Sequence, residues 1–412
     1  MNSRRKLRRR AFPSGPLLSV LPALVLLLFA AAPAPSQSGP STSGVSENLV
    51  LPRSAGVAGI GGPYTTYNAG FDTLVSNPAG FRSVPGTFQA GELSLRLSGP
   101  VLTLSSIILE GIDQGLDTVF ASPDTLQTLQ RLYASLGLGG PVSFGYVGDG
   151  LGFAVSNTTD VTFRTVGTTG LTAVASESLL LSGGFAVRAP LPEAAGELDL
   201  GIVLKGFLQG ASRIETSLLA LPDLFGSFNT DLLLGAPFDV ATGLSVDAGI
   251  RYQVLPWLAI GITGQNLLAP AIVNTYASLD GFLANEDPTD TGSARIPISV
   301  SGGLAFTPRL GALERHMEDF TVLLDYRDGL DFWTNPQNTE NPLLKVSAGI
   351  ETTLLGVVTL RGGLREGLPA AGLGLDLGGV EIDAVAFGDE LTTEPGFRSI
   401  YNLMFSLRFA SD

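Results

Sequence analysis

The sequence predicts an all-β protein, a transmembrane antiparallel β-barrel of about fourteen strands. Three observations carry that expectation. The first is periodicity. Leu244, Val246, Ala248, Ile250, Tyr252 and Val254 alternate with Ser245, Asp247, Gly249, Arg251 and Gln253. A strand with that spacing has one apolar face and one polar face. Leu255-Pro256 turns the chain, and Leu258, Ile260 and Ile262 repeat the pattern. The second is hydropathy. Mean hydropathy is +0.32, yet beyond the N-terminus no stretch reads as an apolar helix of about 20 residues. A greasy chain without spanning helices crosses a bilayer as a closed barrel. The third is that connections between the predicted strands alternate long and short, as they do in a barrel that starts on its periplasmic side.

The chain begins with Arg4, Arg5, Lys6, Arg8, Arg9 and Arg10, followed by an apolar run over residues 16–32. Ala30-Ala31-Ala32 or Ala32-Pro33-Ala34 suits a signal peptidase, so residues 1–36 read as an export signal. A retained anchor helix is the alternative. Residues 37–55 are rich in Ser, Pro and Gly and read as a flexible lead-in. The chain has no Cys, which removes lipoprotein processing, disulfides and thiolate metal sites. Setting the six basic residues aside leaves 18 of the 24 Lys and Arg against 38 Asp and Glu, a mature charge near −20. That balance argues against nucleic acid as a partner. The expected location is the outer membrane of a diderm bacterium.

The strands come in series. Residues 86–98 place Leu93, Leu95 and Leu97 opposite Glu92, Ser94 and Arg96. Residues 102–136 read as helical, with Ile108, Ile112, Leu116 and Phe120 at i+4 spacing and a second stripe of Leu126, Leu129, Leu132 and Tyr133. The helical insert is therefore expected over 100–137. Residues 142–147 and 151–163 form a hairpin across Gly148-Asp149-Gly150. Further strands are expected at 172–188, 197–209, 244–254, 258–265, 298–306, 320–327, 344–351, 357–365, 371–377, 380–387 and 400–409.

The long connections are 99–140, 165–171, 214–238, 268–295, 328–341 and 388–398. The short ones are 148–150, 189–196, 255–256, 354–356 and 378–379; 366–369 and 307–319 break the rule. Charges fall on the polar phase, which would line the lumen: Asp247, Arg251, Asp325, Arg327, Arg361 and Arg365. No Lys, Arg, Asp or Glu is expected on the apolar phase of the central residues, because a lipid-facing Arg or Lys near midplane costs about 2–4 kcal/mol. A soluble sandwich would also alternate, but it calls for fewer strands and no rule of lengths. Tyr146, Phe163, Tyr252, Trp257, Phe306, Tyr326, Tyr401 and Phe409 near strand ends fit interfacial girdles.

Residues 56–81 read GVAGIGGPYTTYNAGFDTLVSNPAGF. A Gly-rich start, then Asn77-Pro78-Ala79-Gly80 just before the first strand, resembles the FadL-type outer-membrane transporter superfamily. That family includes long-chain fatty-acid and aromatic-hydrocarbon channels and PorV-like relatives. The resemblance implies that residues 56–85 are a hatch, or plug, inside the barrel formed by 86–412, with Asn77, Pro78, Ala79 and Gly80 at its end. It implies uptake of hydrophobic small molecules such as long-chain fatty acids, by loop capture and hatch rearrangement. A PorV-like scaffold that binds partner proteins without transport is the alternative. The implied partners are a hydrophobic ligand, outer-membrane lipid and the barrel-assembly machinery. The residues suit a plug as well as a linker. Pro78 has no amide donor and holds Asn77 extended, and the glycines permit tight packing. The long helical insert after the first strand departs from the family's pattern, so no loop ligand residues carry over from it.

No enzyme chemistry is expected. The single His, His316, falls in the expected periplasmic turn 307–319, far from the lumen and the outer rim, which leaves a Ser-His arrangement without its base. Neither cofactor nor metal is expected; Glu286-Asp287-Pro288-Thr289-Asp290 lacks the spacing of a calcium loop. Two stretches remain. The outer connection 214–238 carries Leu224, Phe225, Phe228 and Leu232, apolar residues that form a capture groove or pack on the helices. On the third strand, Asn157 and Thr159 interrupt the phase of Leu151, Phe153 and Val155. Either the strand has left the bilayer there, or the wall opens locally and a ligand leaves sideways.

Overall fold

The computed structural model describes residues 54–411 except 63, 68–69, 116–118, 120–121, 123–124, 126–128, 131, 167–169, 218–233, 335 and 337–338. The expected signal peptide, nearly all of the lead-in, and the capture residues Leu224, Phe225, Phe228 and Leu232 lie outside the described residues. The strands are β1 (Thr87–Ser98), β2 (Tyr133–Gly148), β3 (Leu151–Val166), β4 (Gly170–Arg188), β5 (Glu197–Ser217), β6 (Phe238–Leu255), β7 (Leu258–Leu268) and β8 (Pro270–Tyr276). They continue with β9 (Asp290–Arg295), β10 (Ser299–Phe306), β11 (Met317–Tyr326), β12 (Val346–Leu354), β13 (Val358–Arg365), β14 (Leu368–Asp376), β15 (Val380–Glu390) and β16 (Ser399–Ser411). Short helices are α1 (Ala55–Gly59), α2 (Val101–Gln114), α3 (Leu279–Leu283) and α4 (Asp331–Thr334). None of the described helices is long and apolar enough to cross a membrane.

Every pairing is antiparallel, and β1 pairs with β16, so the sheet closes on itself. β7 and β8 lie end to end along β6, and β10 and β9 lie end to end along them. Among the described residues, sixteen segments therefore make fourteen staves. The first break is local chemistry: Asn266 takes φ 55° and its amide donates to Asp247 Oδ1 at 2.8 Å instead of to the ladder. In the second, Pro297 has no amide to give.

The outward phase is apolar and exposed. Leu151, Phe153, Leu181, Phe185, Leu204, Leu244, Leu360 and Phe405 all face away from the interior, where a soluble sandwich would bury them. Trp257 and Phe306 meet edge to face at 5.5 Å beside the short turns, and Tyr326 and Tyr401 stand exposed near the opposite rim. That surface is the surface of a membrane-spanning barrel.

Two expectations need correction. β2 begins at Tyr133, so helix does not extend over 100–137: α2 ends at Gln114, and 133–141 is strand. The residues Leu136-Gly137-Leu138-Gly139 alternate, but their glycines resemble a loop. They are needed because a Cβ on Gly139 would meet Ser94 Oγ at 2.3 Å and one on Gly137 would meet Asp160 Oδ1 at 2.8 Å. Ile107, Val119, Leu129 and Leu132 pack with Ala134, Leu171 and Phe163, on the outward phase of β2–β4. The helical residues thus fold over the outside of the upper wall. Second, Glu177 lies on the outward phase of β4, paired with Thr159 and exposed, so the apolar phase does carry a central charge. It is held by neighbours: Asn157 Nδ2 donates to Glu177 Oε1 at 2.8 Å, and Thr159 Oγ1 donates to Oε2.

Candidate functional site

Residues 54–84 are built from short turns. Ser54 caps α1, its hydroxyl accepting from the Val57 amide at 3.2 Å. Asn77 caps the 3-10 turn Pro78–Arg82 by accepting from the Ala79 amide at 3.0 Å, with Pro78 in the first position. Phe81 is fully buried with Leu74, Val84, Val147, Ala186 and Val203.

The segment touches inward-facing groups around the whole wall. Asn77 Nδ2 donates to Thr65 O at 2.7 Å and to Ile250 O on β6 at 3.1 Å. The Thr65 amide donates to Asp325 Oδ2 on β11 at 2.8 Å. Tyr67 donates to Glu351 Oε2 on β12 at 2.7 Å. Gln265 on β7 donates to Val75 O at 2.6 Å, and the Gly150 amide beside β3 donates to Phe81 O at 2.9 Å. A segment that meets the polar phase of strands on every side lies within the barrel.

Two glycines mark how close the approach is. A Cβ on Gly249 would stand 1.8 Å from Asn77 Oδ1, and one on Gly201 would stand 2.3 Å from the Pro78 carbonyl carbon. In the sequence Gly249 stands only as one member of the polar phase, and Gly201 carries no mark of a contact. The available signal was glycine, rather than a charge or hydroxyl, at a mid-strand place on the polar phase.

The charged residues expected in the lumen face inward. Asp247 pairs with Lys205 in a fully buried ion pair. Arg251 Nη1 donates to Ser83 Oγ at 3.2 Å. Arg361 Nε donates to Glu351 Oε2 at 2.6 Å, and its Nη1 bonds Asp383. At the rim, Arg327 and Arg365 share Glu366 at 2.9 and 3.1 Å. Burial works to raise the Glu366 pKa, but Arg365 and Arg327 outweigh it and hold the group down to about 2. In the segment itself, burial pushes Asp72 up to about 6, against the opposing pull of Arg408 and the Ser54 hydrogen bond.

A cavity of about 100 Å³ separates the segment from β1–β4 and β16. Asp72, Gln89, Glu92, Arg96, Ser143 and Asn157 supply its polar lining, and Phe71, Leu74, Val75, Leu180 and Met404 its apolar lining. The wall beside it is irregular. β1–β2 pairing lapses between Gln89/Gly145 and Ser94/Gly139. Across β2–β3, Gly140, Pro141 and Val142 face the single residue Asn157. Pro141 removes a ladder donor there. Asn157 Oδ1 accepts from the Val142 amide at 2.9 Å and satisfies the bulge. On the outer side an apolar hollow of about 650 Å³ is lined by Leu93, Leu95, Leu138, Pro141, Phe405 and Leu407. The two hollows share Ser94, Gly139 and Gly140. The irregularity thus sits on the second strand, with Asn157 and Thr159 of the third strand beside it.

No family model matches the chain, and no curated protein matches it. Solved structures do. The toluene transporter TbuX of Ralstonia pickettii is 12% identical, covering 87% of this chain and 98% of its own, with a TM-score of 0.45. A FadL homologue of Pseudomonas aeruginosa is 12% identical, covering 88% and 99%, with a TM-score of 0.42. The monoaromatic hydrocarbon channel CymD is 11% identical, covering 86% and 98%, with a TM-score of 0.44.

Proposed function

We propose that the protein is a plugged outer-membrane channel for uptake of hydrophobic small molecules. The observation that carries this reading is the pair of hollows meeting at Ser94, Gly139 and Gly140, one against residues 54–84 and one on the lipid-facing side. Residues 54–84 act as the hatch. They fill the lumen and bar free passage, and a shift at Asn77, Pro78, Ala79 and Gly80 enlarges the cavity. The outer loop with Leu224, Phe225, Phe228 and Leu232 gathers the ligand. The ligand leaves sideways past Asn157 and Thr159 into outer-membrane lipid, a route that suits it because an apolar molecule gains nothing by crossing water. Long-chain fatty acids are the substrates the sequence resemblance implies.

Two measurements test the reading. Proteoliposomes carrying the full chain should take up an apolar probe while remaining closed to small sugars, and mass spectrometry of the apolar extract should recover a bound molecule. Uptake should stop reversibly when Asn157→Cys and Val142→Cys are oxidised to a cross-link. Full uptake through the cross-linked barrel would remove the lateral route. A closed barrel with no uptake and no bound molecule would leave a scaffold that binds partner proteins.

A further inference from the structure

We infer that the cavity selects neutral apolar molecules bearing a hydroxyl group, phenols and alcohols, over bare hydrocarbons and over carboxylates. The inference rests on the channel reading above and names its substrate class.

Size comes first. At about 100 Å³ the cavity is of the order of the ~150 Å³ engineered cavity that admits benzene. The cavity is thus sized for a single ring or a short chain at most, and a long acyl chain does not fit as the cavity stands. Charge comes second. The cations among the described lining residues are Arg96 and Arg408. Arg96 is tied to Asp160, and Arg408 to Glu92 and Glu381. Asp72 and Glu92 add carboxyl groups to the same lining. Both guanidinium charges are thus balanced, with only Arg96 Nε left without a partner, so a ligand carboxylate would lose its water beside Asp72 and Glu92 and meet no uncompensated cation, which is unfavourable for a buried charge.

Hydrogen bonding comes third. Gln89 is 2% exposed, and its Nε2 donates to Ser143 Oγ at 2.8 Å. Its Oε1 is buried and has no partner. A buried acceptor left unmade is costly, and a ligand hydroxyl would satisfy it. Exchanging the amide oxygen and nitrogen would leave a donor in that place, and a hydroxyl serves either because it donates and accepts. Hydrocarbon serves neither. The outer lip repeats the preference: Asn157, Thr159 and Glu177 form an exposed polar cluster beside the bulge. It offers acceptors to a hydroxyl and repels an anion.

The test uses three probes of one shape: p-cresol, toluene and 4-methylbenzoate. Binding to the full chain in lipid nanodiscs is measured by calorimetry, with empty discs subtracted. p-Cresol is expected to bind at least tenfold more tightly than toluene, and 4-methylbenzoate not detectably. Gln89→Leu should bring the cresol-to-toluene ratio to within about twofold. Toluene binding as tightly as p-cresol, or 4-methylbenzoate binding best, overturns the inference and leaves the channel reading standing. A ratio that survives Gln89→Leu in a folded barrel overturns it as well. Should that variant not assemble, the wild-type ratio decides. If none of the three binds or crosses the wall, the channel reading falls and takes the inference with it.

Discussion

The wall at β12–β15 and the wall at β1–β3 hold the same internal segment in opposite ways. At β12–β15 the ladder is unbroken from pair to pair. Ile60 O of the segment would lie 2.1 Å from a Cβ on Gly363 and 2.3 Å from one on Gly349. Ala55 and Ala58 pack with Ala370, Val385, Phe387 and Met404. At β1–β3 the ladder lapses, a cavity intervenes, and Gln89 in its lining leaves Oε1 without a partner. The difference teaches that the internal segment is docked on one side and leaves room on the other. Glycine on the polar phase is what permits the docking. Proline within a strand is what loosens the opposite wall.

The harshest way to break the contrast is to fill the docked side. Gly363→Val puts a branched side chain where Ile60 O lies, and overpacking of that kind costs about 1–3 kcal/mol or more. The segment should be displaced, and sugar permeation through proteoliposomes should rise roughly tenfold or more, as expected for that energy range. Gly206→Ala is the control, because its Cβ would meet only Leu244 Cδ2 at 3.6 Å; permeation should stay at the wild-type level.

A pH series sharpens the contrast. Asp72, beside the cavity, has its pKa raised to about 6 by burial. The folded state therefore holds its proton more tightly than the unfolded state. Stability is greatest below the unfolded value near 4 and falls as pH rises towards 6, by roughly 3 kcal/mol in all. Glu366 at the docked rim is lowered to about 2, and its sign is reversed. Its contribution is full above about 4.5 and is lost as pH falls towards 2. Amide exchange of residues 54–84 should quicken between pH 4 and 7, after correction for the intrinsic rate, and Asp72→Asn should flatten that slope. A slope that persists in the variant would assign the effect to another group.

Asn77→Ala removes the cap on Ala79 and the donor to Thr65 O and Ile250 O. We expect a loss of about 2 kcal/mol in segment docking, seen as faster exchange of the Ala79 amide with the barrel's thermal transition unchanged. The smallest effect belongs to the loose wall. Asn157→Ala takes the acceptor from the Val142 amide and a donor from Glu177. Because both sites are exposed, the thermal midpoint in detergent should reflect a loss of at most about 1 kcal/mol. A larger loss would mean that the bulge is as tightly held as the docked side.

Much of the barrel was legible in the sequence. Each stave was found because side-chain direction in a strand alternates every residue and lipid accepts only one of the two faces. β8 and β9 were absorbed into a long outer connection, since Pro270 and Pro297 stand at the breaks and resemble loop punctuation. Asn77-Pro78-Ala79-Gly80 was legible as a turn before the first strand. The Gln89 cavity was not, because nothing in the run 86–98 distinguishes an inward Gln with a partner from one without.

What the sequence determined by itself was therefore strand number, phase and the polarity of the two faces, all properties of neighbouring residues. Only the tertiary structure decided what the inner face touches. Thr65 meets Asp325 across 260 positions and Asn77 meets Ile250 across 173, separations at which no local period survives. It also decided that the wall loosens at Gly140-Pro141-Val142 and that Asn157, one strand on, holds the break. Closure brings β16 back to β1, and the cavity falls beside the place where a proline withholds a donor.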